Sequence, residues 1–299
     1  MPRVVVLGAN GELGTDLCQE FEWLDGTELV ALTHDDLDIC DHEAVAKTLA
    51  SIRPDSVINL AAFRNLESCE EDLETAFAVN SSAVRNLALI CDNAQARLVH
   101  LSTDYVFGGD QHTPYRENAP LNPLNVYGVS KASGEYFVRN LCRNHLLIRT
   151  SGLFGTKGTN FVETMLRLGK ERGWVSVVTD QVLSPTSTQD LVPTMRELVD
   201  RQAHGVYHIT NSGSCSWYEF AKGIFELSDT GVEVRPTTTE AFGAGVPRPS
   251  YSVLENHRLK EIGIPPLRPW REALQGYLEA RKADVTRDGN SETTTSSSS

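Results

Sequence analysis

The stretch Arg3-Val4-Val5-Val6-Leu7-Gly8-Ala9-Asn10-Gly11-Glu12-Leu13-Gly14 sets the fold class. Its apolar run does not alternate with polar residues, which fits a strand buried on both faces. Glycines spaced G-x-x-G-x-x-G follow directly, and a helical pattern, Glu12–Trp23, follows them. Strand, glycine turn and helix in that order form the context of a dinucleotide-binding fingerprint. Gly8 permits the tight turn, and Gly11 lets the backbone approach a diphosphate at the helix N-terminus. Gly14 allows close packing of helix on strand. Gly8, Asn10, Gly11, Glu12, Leu13 and Gly14 are therefore candidate cofactor-binding residues.

Working outward, strand-like runs alternate with helical ones. The strands are Glu28–Leu32, Asp55–Leu60, Arg97–Ser102 and His145–Arg149. The helices are His42–Ile52, with Asp41 as its N-cap, then Leu73–Ala94 and Ser130–Arg143. This alternation predicts an α/β protein, a Rossmann-like doubly wound parallel sheet, over residues 1–150. After Arg149 the pattern is less regular: helices at Thr159–Arg172 and Ser216–Ser228, strands at Val175–Val178 and Val206–Ile209. Residues 151–282 read mainly as a smaller α/β substrate-binding domain, with some later segments returning to the first. Residues 283–299 are polar and lack aromatics, so a disordered tail is expected there.

Lys and Arg number 27 against 40 Asp and Glu, a formal charge of −13. That balance argues against a nucleic-acid binder and against docking on an anionic membrane. It leaves open a small anionic ligand held by backbone N–H groups. No apolar stretch is long enough for a membrane helix, and the N-terminal run is too short for a signal-peptide core. The six cysteines, at 18, 40, 69, 91, 142 and 215, include no Cys-x-x-Cys pair. They read as free thiols in a reducing cytoplasm, with no metal site among them.

Tyr127-Gly128-Val129-Ser130-Lys131 contains Tyr-x-x-x-Lys, which puts both side chains on one helical face. An ammonium there lowers the phenol's pKa, and the phenol can protonate a carbonyl oxygen as hydride reaches its carbon. Upstream, Val99-His100-Leu101-Ser102-Thr103 ends in a hydroxyl that can polarise the same carbonyl. Thr103, Tyr127 and Lys131 are the candidate catalytic set. At the end of the second strand stands Thr33-His34-Asp35, with neither an acid nor an Arg at the tip itself, so NADH and NADPH both remain open. Asp38 and Ile39 are placed for an adenine contact.

Ser102-Thr103-Asp104-Tyr105-Val106-Phe107-Gly108-Gly109, Pro114-Tyr115-Arg116-Glu117, Pro120-Leu121-Asn122-Pro123, Tyr127-Gly128, Lys131, Arg149-Thr150-Ser151, Asp180-Gln181, Ser216-Trp217-Tyr218-Glu219 and Arg248-Pro249 occur in that order. Together they resemble the dTDP-4-dehydrorhamnose reductases of the extended short-chain dehydrogenase superfamily, over roughly residues 3–280. The resemblance implies NAD(P)H-dependent reduction of a 4-keto nucleotide sugar. It implies that Ala61, Ala62, Phe63, Ser102, Tyr127 and Lys131 line the cofactor groove, with Lys131 on the ribose. It implies that Thr103, Asp104, Tyr105 and Arg248 meet the substrate, and that Arg149 and Asn80 are structural. A homodimer is the assembly in view, with no nucleic-acid or membrane partner. Some members bind magnesium near a dimer surface, but no motif here matches that site, and no metal is assigned.

Several positions depart from the family pattern: Gly152 stands where Trp is usual, Leu183 where Gly is favoured, Tyr251 where Asn is common, and Glu255 replaces Asp. Phe63-Arg64-Asn65 differs as well. These departures bear on the sugar more than on hydride chemistry. Trp217 and Phe220 read as core residues. Two alternatives stand beside the reductase. One is an epimerase or 4,6-dehydratase, although a dehydratase would carry Asp-Glu after Thr103 and this chain has Asp104-Tyr105. The other is a non-catalytic NADP-binding subunit like that attached to methionine adenosyltransferase.

Overall fold

The computed structural model describes residues 1–22 and 26–293. The first half runs β1 (Arg3–Leu7), α1 (Glu12–Glu22), β2 (Glu28–Leu32), α2 (His42–Ile52), β3 (Ser56–Asn59), α3 (Leu66–Glu71), α4 (Leu73–Phe77), α5 (Ala83–Asn93), β4 (Arg97–Thr103), α6 (Val126–Leu141) and β5 (His145–Thr150). The second half runs β6 (Leu153–Phe154), α7 (Phe161–Arg172), β7 (Trp174–Val178), β8 (Val182–Leu183), β9 (Thr186–Ser187), α8 (Thr188–Asp200), β10 (Gly205–His208), β11 (Cys215–Ser216), α9 (Trp217–Ser228), β12 (Glu233–Thr237), α10 (Thr239–Phe242), α11 (His257–Glu261) and α12 (Trp270–Thr293).

Six parallel strands form the main sheet in the order β10-β5-β4-β3-β1-β2. Successive residues along a strand point to opposite faces, and the sheet is buried on both. Val4, Val6, Ile58, Val99, Leu146 and Ile148 pack with Leu17 and Phe21 of α1 and Leu191 and Met195 of α8. Val5, Leu7, Val57, Leu98 and Leu147 pack on the other side with Val45 and Leu49 of α2, Leu87 and Cys91 of α5, and Val138 of α6. This is a doubly wound α/β fold. The strand order reverses between β1 and β3, with β2 added on one side and β3, β4, β5 and β10 on the other, and a crevice opens at the carboxyl ends of the strands there. A second core gathers Phe154, Val162, Val175, Phe220, Ile224, Leu274 and Tyr277 from β6, α7, β7, α9 and α12.

Three local features differ from the sequence reading. The long helix over 73–94 contains a π-helical turn at Ala78–Ser82. The helix carrying Tyr127 begins at Val126, because the Asn125 side chain caps it by accepting from the Gly128 N–H at 2.8 Å. Finally, α12 continues to Thr293, so residues 283–293 are helical where their composition suggested disorder. Its packed first turns, with Ala273, Leu274, Tyr277 and Leu278 in the second core, supply the nucleus, and each further residue then adds one backbone bond. Residues 294–299 of the expected tail lie outside the described residues.

Candidate active site

A cleft of about 740 Å³ lies over the carboxyl ends of β1, β3, β4 and β5. One wall is the glycine turn. Gly8 has φ +80°, and a Cβ there would sit 2.9 Å from the Ala61 nitrogen. A Cβ at Gly14 would sit 2.3 Å from the Gly8 carbonyl oxygen, so the start of α1 reaches this position only with glycine. The fit to a diphosphate is that of a backbone cradle that side chains would fill. Asn10, Gly11, Glu12 and Leu13 line the cleft beside them, and so do His34, Asp38 and Ile39 at the end of β2. The Asp38 carboxylate accepts from the Cys40 N–H at 2.9 Å, which orders this loop.

Ala61, Ala62 and Phe63 form the floor after β3. Asn80, within the π-helical turn, holds that floor: its Oδ1 accepts from the Phe63 N–H at 2.9 Å and its Nδ2 donates to the Phe63 carbonyl at 2.8 Å. Its amide also donates to Ser130 Oγ at 3.1 Å, tying the loop to α6. The extra residue of the π turn is what turns this side chain toward the loop.

Thr103, Tyr127 and Lys131 meet in the same cleft. Lys131 Nζ donates to the Leu101 carbonyl at 2.7 Å, and burial pulls its pKa down to about 8 against the attraction of Glu135. Burial pushes the Tyr127 phenol up to about 12; a hydrogen bond with Thr103 works downward, Asp104 and Cys69 upward, and Arg64 downward. Lys131 was expected to lower this phenol. In the structure its ammonium is committed to Leu101, and burial outweighs every charge near Tyr127. Tyr105 packs edge-on against Tyr127 at a centroid distance of 5.9 Å.

Asp104 is buried and accepts from three hydroxyls: Ser252 at 2.6 Å, Ser151 at 2.8 Å and Thr103 at 3.1 Å. Burial raises its pKa, and these bonds oppose the rise. It thereby fixes Thr103, whose Oγ1 also accepts from the Tyr105 N–H at 3.2 Å. Ser102 also lines the cleft, and its hydroxyl donates to Glu135 Oε1 at 2.6 Å. Glu135 pairs with Arg149 at 2.6 and 2.8 Å, both fully buried, so Arg149 cross-braces β5 and α6 as a structural residue.

Arg248 does not line the main cleft. Its guanidinium pairs with Glu67 at 2.7 Å and acts on Tyr105, next to a small void of about 20 Å³ lined by Asp104, Tyr105, Gly152, Leu183, Trp217 and Pro249. Phe220 is core, as read from sequence. Trp217 packs against that core beside Phe161 and Phe220, but it is only half-buried and also lines both the cleft and the void. Ser216 and Glu219 form a capping box that places Trp217 in the first position of α9. That box was the signal that could have moved it from core to site. Arg64, from the departing stretch Phe63-Arg64-Asn65, and Ser151, from Arg149-Thr150-Ser151, line the cleft as well; Asn160 and Phe161, which the sequence did not mark, join them. Among the described residues no group of three or more His, Cys, Asp or Glu is placed to hold a metal ion, and no helix is long and apolar enough to cross a membrane.

A doubly wound sheet with a glycine turn and a Thr–Tyr–Lys set at its switch point has the architecture of the short-chain dehydrogenase/reductase class. Within that class, the chain belongs to the family described as the RmlD substrate binding domain, which it matches over residues 2–283. It is 43% identical to the spore coat polysaccharide biosynthesis protein SpsK of Bacillus subtilis, over 95% of this chain and 99% of that one. It is 39% identical to the dTDP-4-keto-6-deoxy-D-glucose reductase of Streptomyces niveus, over 94% and 98%. It is also similar to the crystal structure of the dTDP-4-dehydrorhamnose reductase of Bacillus anthracis in complex with NADP. That match has a TM-score of 0.90 and 40% identity, covering 94% of this chain and 100% of the other.

Proposed function

We propose that this chain is an NAD(P)H-dependent oxidoreductase that reduces the 4-keto group of a dTDP-linked deoxysugar, with dTDP-4-dehydro-L-rhamnose as substrate and dTDP-L-rhamnose as product. The observation that carries this reading is the meeting of Thr103, Tyr127 and Lys131 in one cleft with the Gly8–Gly14 turn. Family membership and the NADP complex of the Bacillus anthracis relative support it.

When bound, the nicotinamide cofactor supplies the hydride that adds to C4. The glycine turn holds its diphosphate through backbone N–H groups. Asp38 and Ile39 would meet its adenine, and Ala61, Ala62 and Phe63 would line its groove. Lys131, whose ammonium keeps two hydrogens beside its bond to the Leu101 carbonyl, would hold the ribose. Tyr127 gives its phenolic proton to the C4 oxygen as that oxygen gains charge. Thr103 hydrogen-bonds the same oxygen, and Asp104 keeps the Thr103 hydroxyl in place. Tyr105 and Arg248 flank the sugar side. Tyr105 stands where a dehydratase would carry Glu, which favours simple reduction over loss of water.

The enzyme works in the cytoplasm, a reading supported by six cysteines that form no disulfide with one another. It assembles as a homodimer, for which exposed Val129 and Tyr136, one face of α6, offer apolar surface; sedimentation of the pure protein tests this. The activity is tested by oxidation of NADPH and NADH in the presence of dTDP-4-dehydro-L-rhamnose, comparing wild type with Tyr127→Phe. Turnover reduced by roughly 10²-fold or more in the variant is expected. Absence of turnover in the wild type, with cofactor bound normally, would sink the reductase and favour the non-catalytic subunit.

A further inference from the structure

Lys131 and Arg64 are the Lys and Arg side chains that line the cleft. Lys131 is held by the Leu101 carbonyl. Arg64, in the loop after β3, is exposed by comparison: its side chain is 59% accessible to solvent, and its Nη1 lies 3.7 Å from Glu12 Oε2. Glu12 is the opposite case. Its side chain is 2% exposed, and its Oε1 takes both available donors, the Gly155 N–H and the Asn160 amide, each at 2.7 Å. Its Oε2 has no hydrogen-bond partner. Asp16 on the same helix adds a second negative charge nearby, itself faced by Lys157.

A half-satisfied carboxylate buried at a helix N-terminus is costly in itself. It also repels the anion such a terminus is suited to bind. Arg64 relieves both problems. Its guanidinium pairs with Glu12 and its charge also reaches Tyr127, which lines the same cleft. Arg248 does not compete for this role, because it is engaged with Glu67 outside the cleft.

We propose that Arg64 is the cation that clamps the cofactor's diphosphate, and that Glu12 holds Arg64 over the glycine turn until the diphosphate takes it. This rests on the reading above that the cleft binds a nicotinamide dinucleotide. A planar guanidinium matches two phosphate oxygens side by side, and exchanging one anion for another keeps it paired throughout. Once Arg64 leaves, Glu12 faces the diphosphate alone and takes up a proton. Burial already raises its pKa to about 7, so this uptake falls in the neutral range. Cofactor binding therefore weakens as pH rises above that value.

The test measures NADPH binding to the full chain by calorimetry, with no sugar present. Arg64→Gln should weaken binding by roughly 10- to 100-fold, and Arg64→Lys should restore part of the loss. Reduced nicotinamide riboside, which carries no phosphate, should bind both forms alike. Glu12→Gln should bind NADPH at least as tightly as wild type and lose the pH dependence between about pH 7 and 9. Buffers of different ionisation enthalpy should report uptake of about one proton by wild type and none by Glu12→Gln. Unchanged NADPH affinity in Arg64→Gln, or an equal loss for the riboside, overturns the clamp. Failure of the wild type to bind NADPH or NADH would overturn the cofactor reading instead.

Discussion

Gly152 and Leu183 share one space: a Cβ added at Gly152 would lie 2.5 Å from Leu183 Cδ1. Gly152 also has φ +52°, which disfavours any side chain. The two departures from the family pattern are therefore one change, in which a buried Leu on β8 packs where residue 152 has no side chain. Gly152→Ala should destabilise the wild type through both the clash and the backbone, by about 2–4 kcal/mol. In a Leu183→Ala background the Leu183 clash is gone, and the cost should fall to the backbone strain and a close contact with Pro185 Cα at 3.2 Å, about 1–2 kcal/mol. Urea denaturation of the four proteins checks this, and additive effects would refute the shared space.

Asp104 raises the Tyr127 phenol from beside it. Asp104→Asn removes that charge while leaving an oxygen for Thr103. The basic limb of the kcat profile should then move to lower pH, because an anion near a phenol disfavours the phenolate. Arg64→Gln should move it the other way. A profile unmoved by both variants would show that the limb does not report Tyr127.

Lys131 predicts a pH dependence of stability. Its pKa is lowered from 10.5 to about 8, so between those values the unfolded chain binds more protons than the native one. Stability from this group therefore rises with pH across that window. The difference between wild type and Lys131→Met should grow in favour of wild type by about 3 kcal/mol from pH 8 to 10.5. Denaturant midpoints of the two proteins at each pH measure it.

The Arg149–Glu135 pair should behave as a buried ion pair. Arg149→Met leaves Glu135 charged and unpaired and should cost about 3–5 kcal/mol. Adding Glu135→Leu should recover most of that loss. If the double variant is no more stable than the single one, the pair's other partners carry the stability: Ser102, the Glu117 carbonyl and His208.

The parts of the site written in local spacing were legible in the sequence. Gly8, Gly11 and Gly14 announce the turn because the backbone there tolerates little else. Tyr127 and Lys131 are one helical turn apart, and Thr103 ends a strand whose neighbours are all buried. What was missed depends on contacts far apart in the chain. Arg64 has no spacing signal, and its meaning comes from Glu12, more than 50 residues away. Trp217 sits among apolar residues of an amphipathic helix, which is also how a core residue looks. The Gly152–Leu183 relation joins the turn before β6 to strand β8, 31 residues on, and the π turn at Ala78–Ser82 leaves no mark in the hydrophobic period.

Strand β10 has a consequence for how the protein could be divided. Residues 205–208 close one edge of the main sheet by pairing with β5 along Leu146–Arg149. A fragment ending at residue 150 would keep the catalytic residues but leave β5 as a bare edge, with its N–H and C=O groups unpaired. It would also lose α8, whose Leu191 and Met195 cover one face of the same strands. The polypeptide thus cannot be separated at its apparent midpoint. Its six-stranded sheet is completed only after α7 and β7–β9 have been made, so during synthesis the cleft forms late, although the Gly8–Gly14 turn emerges first.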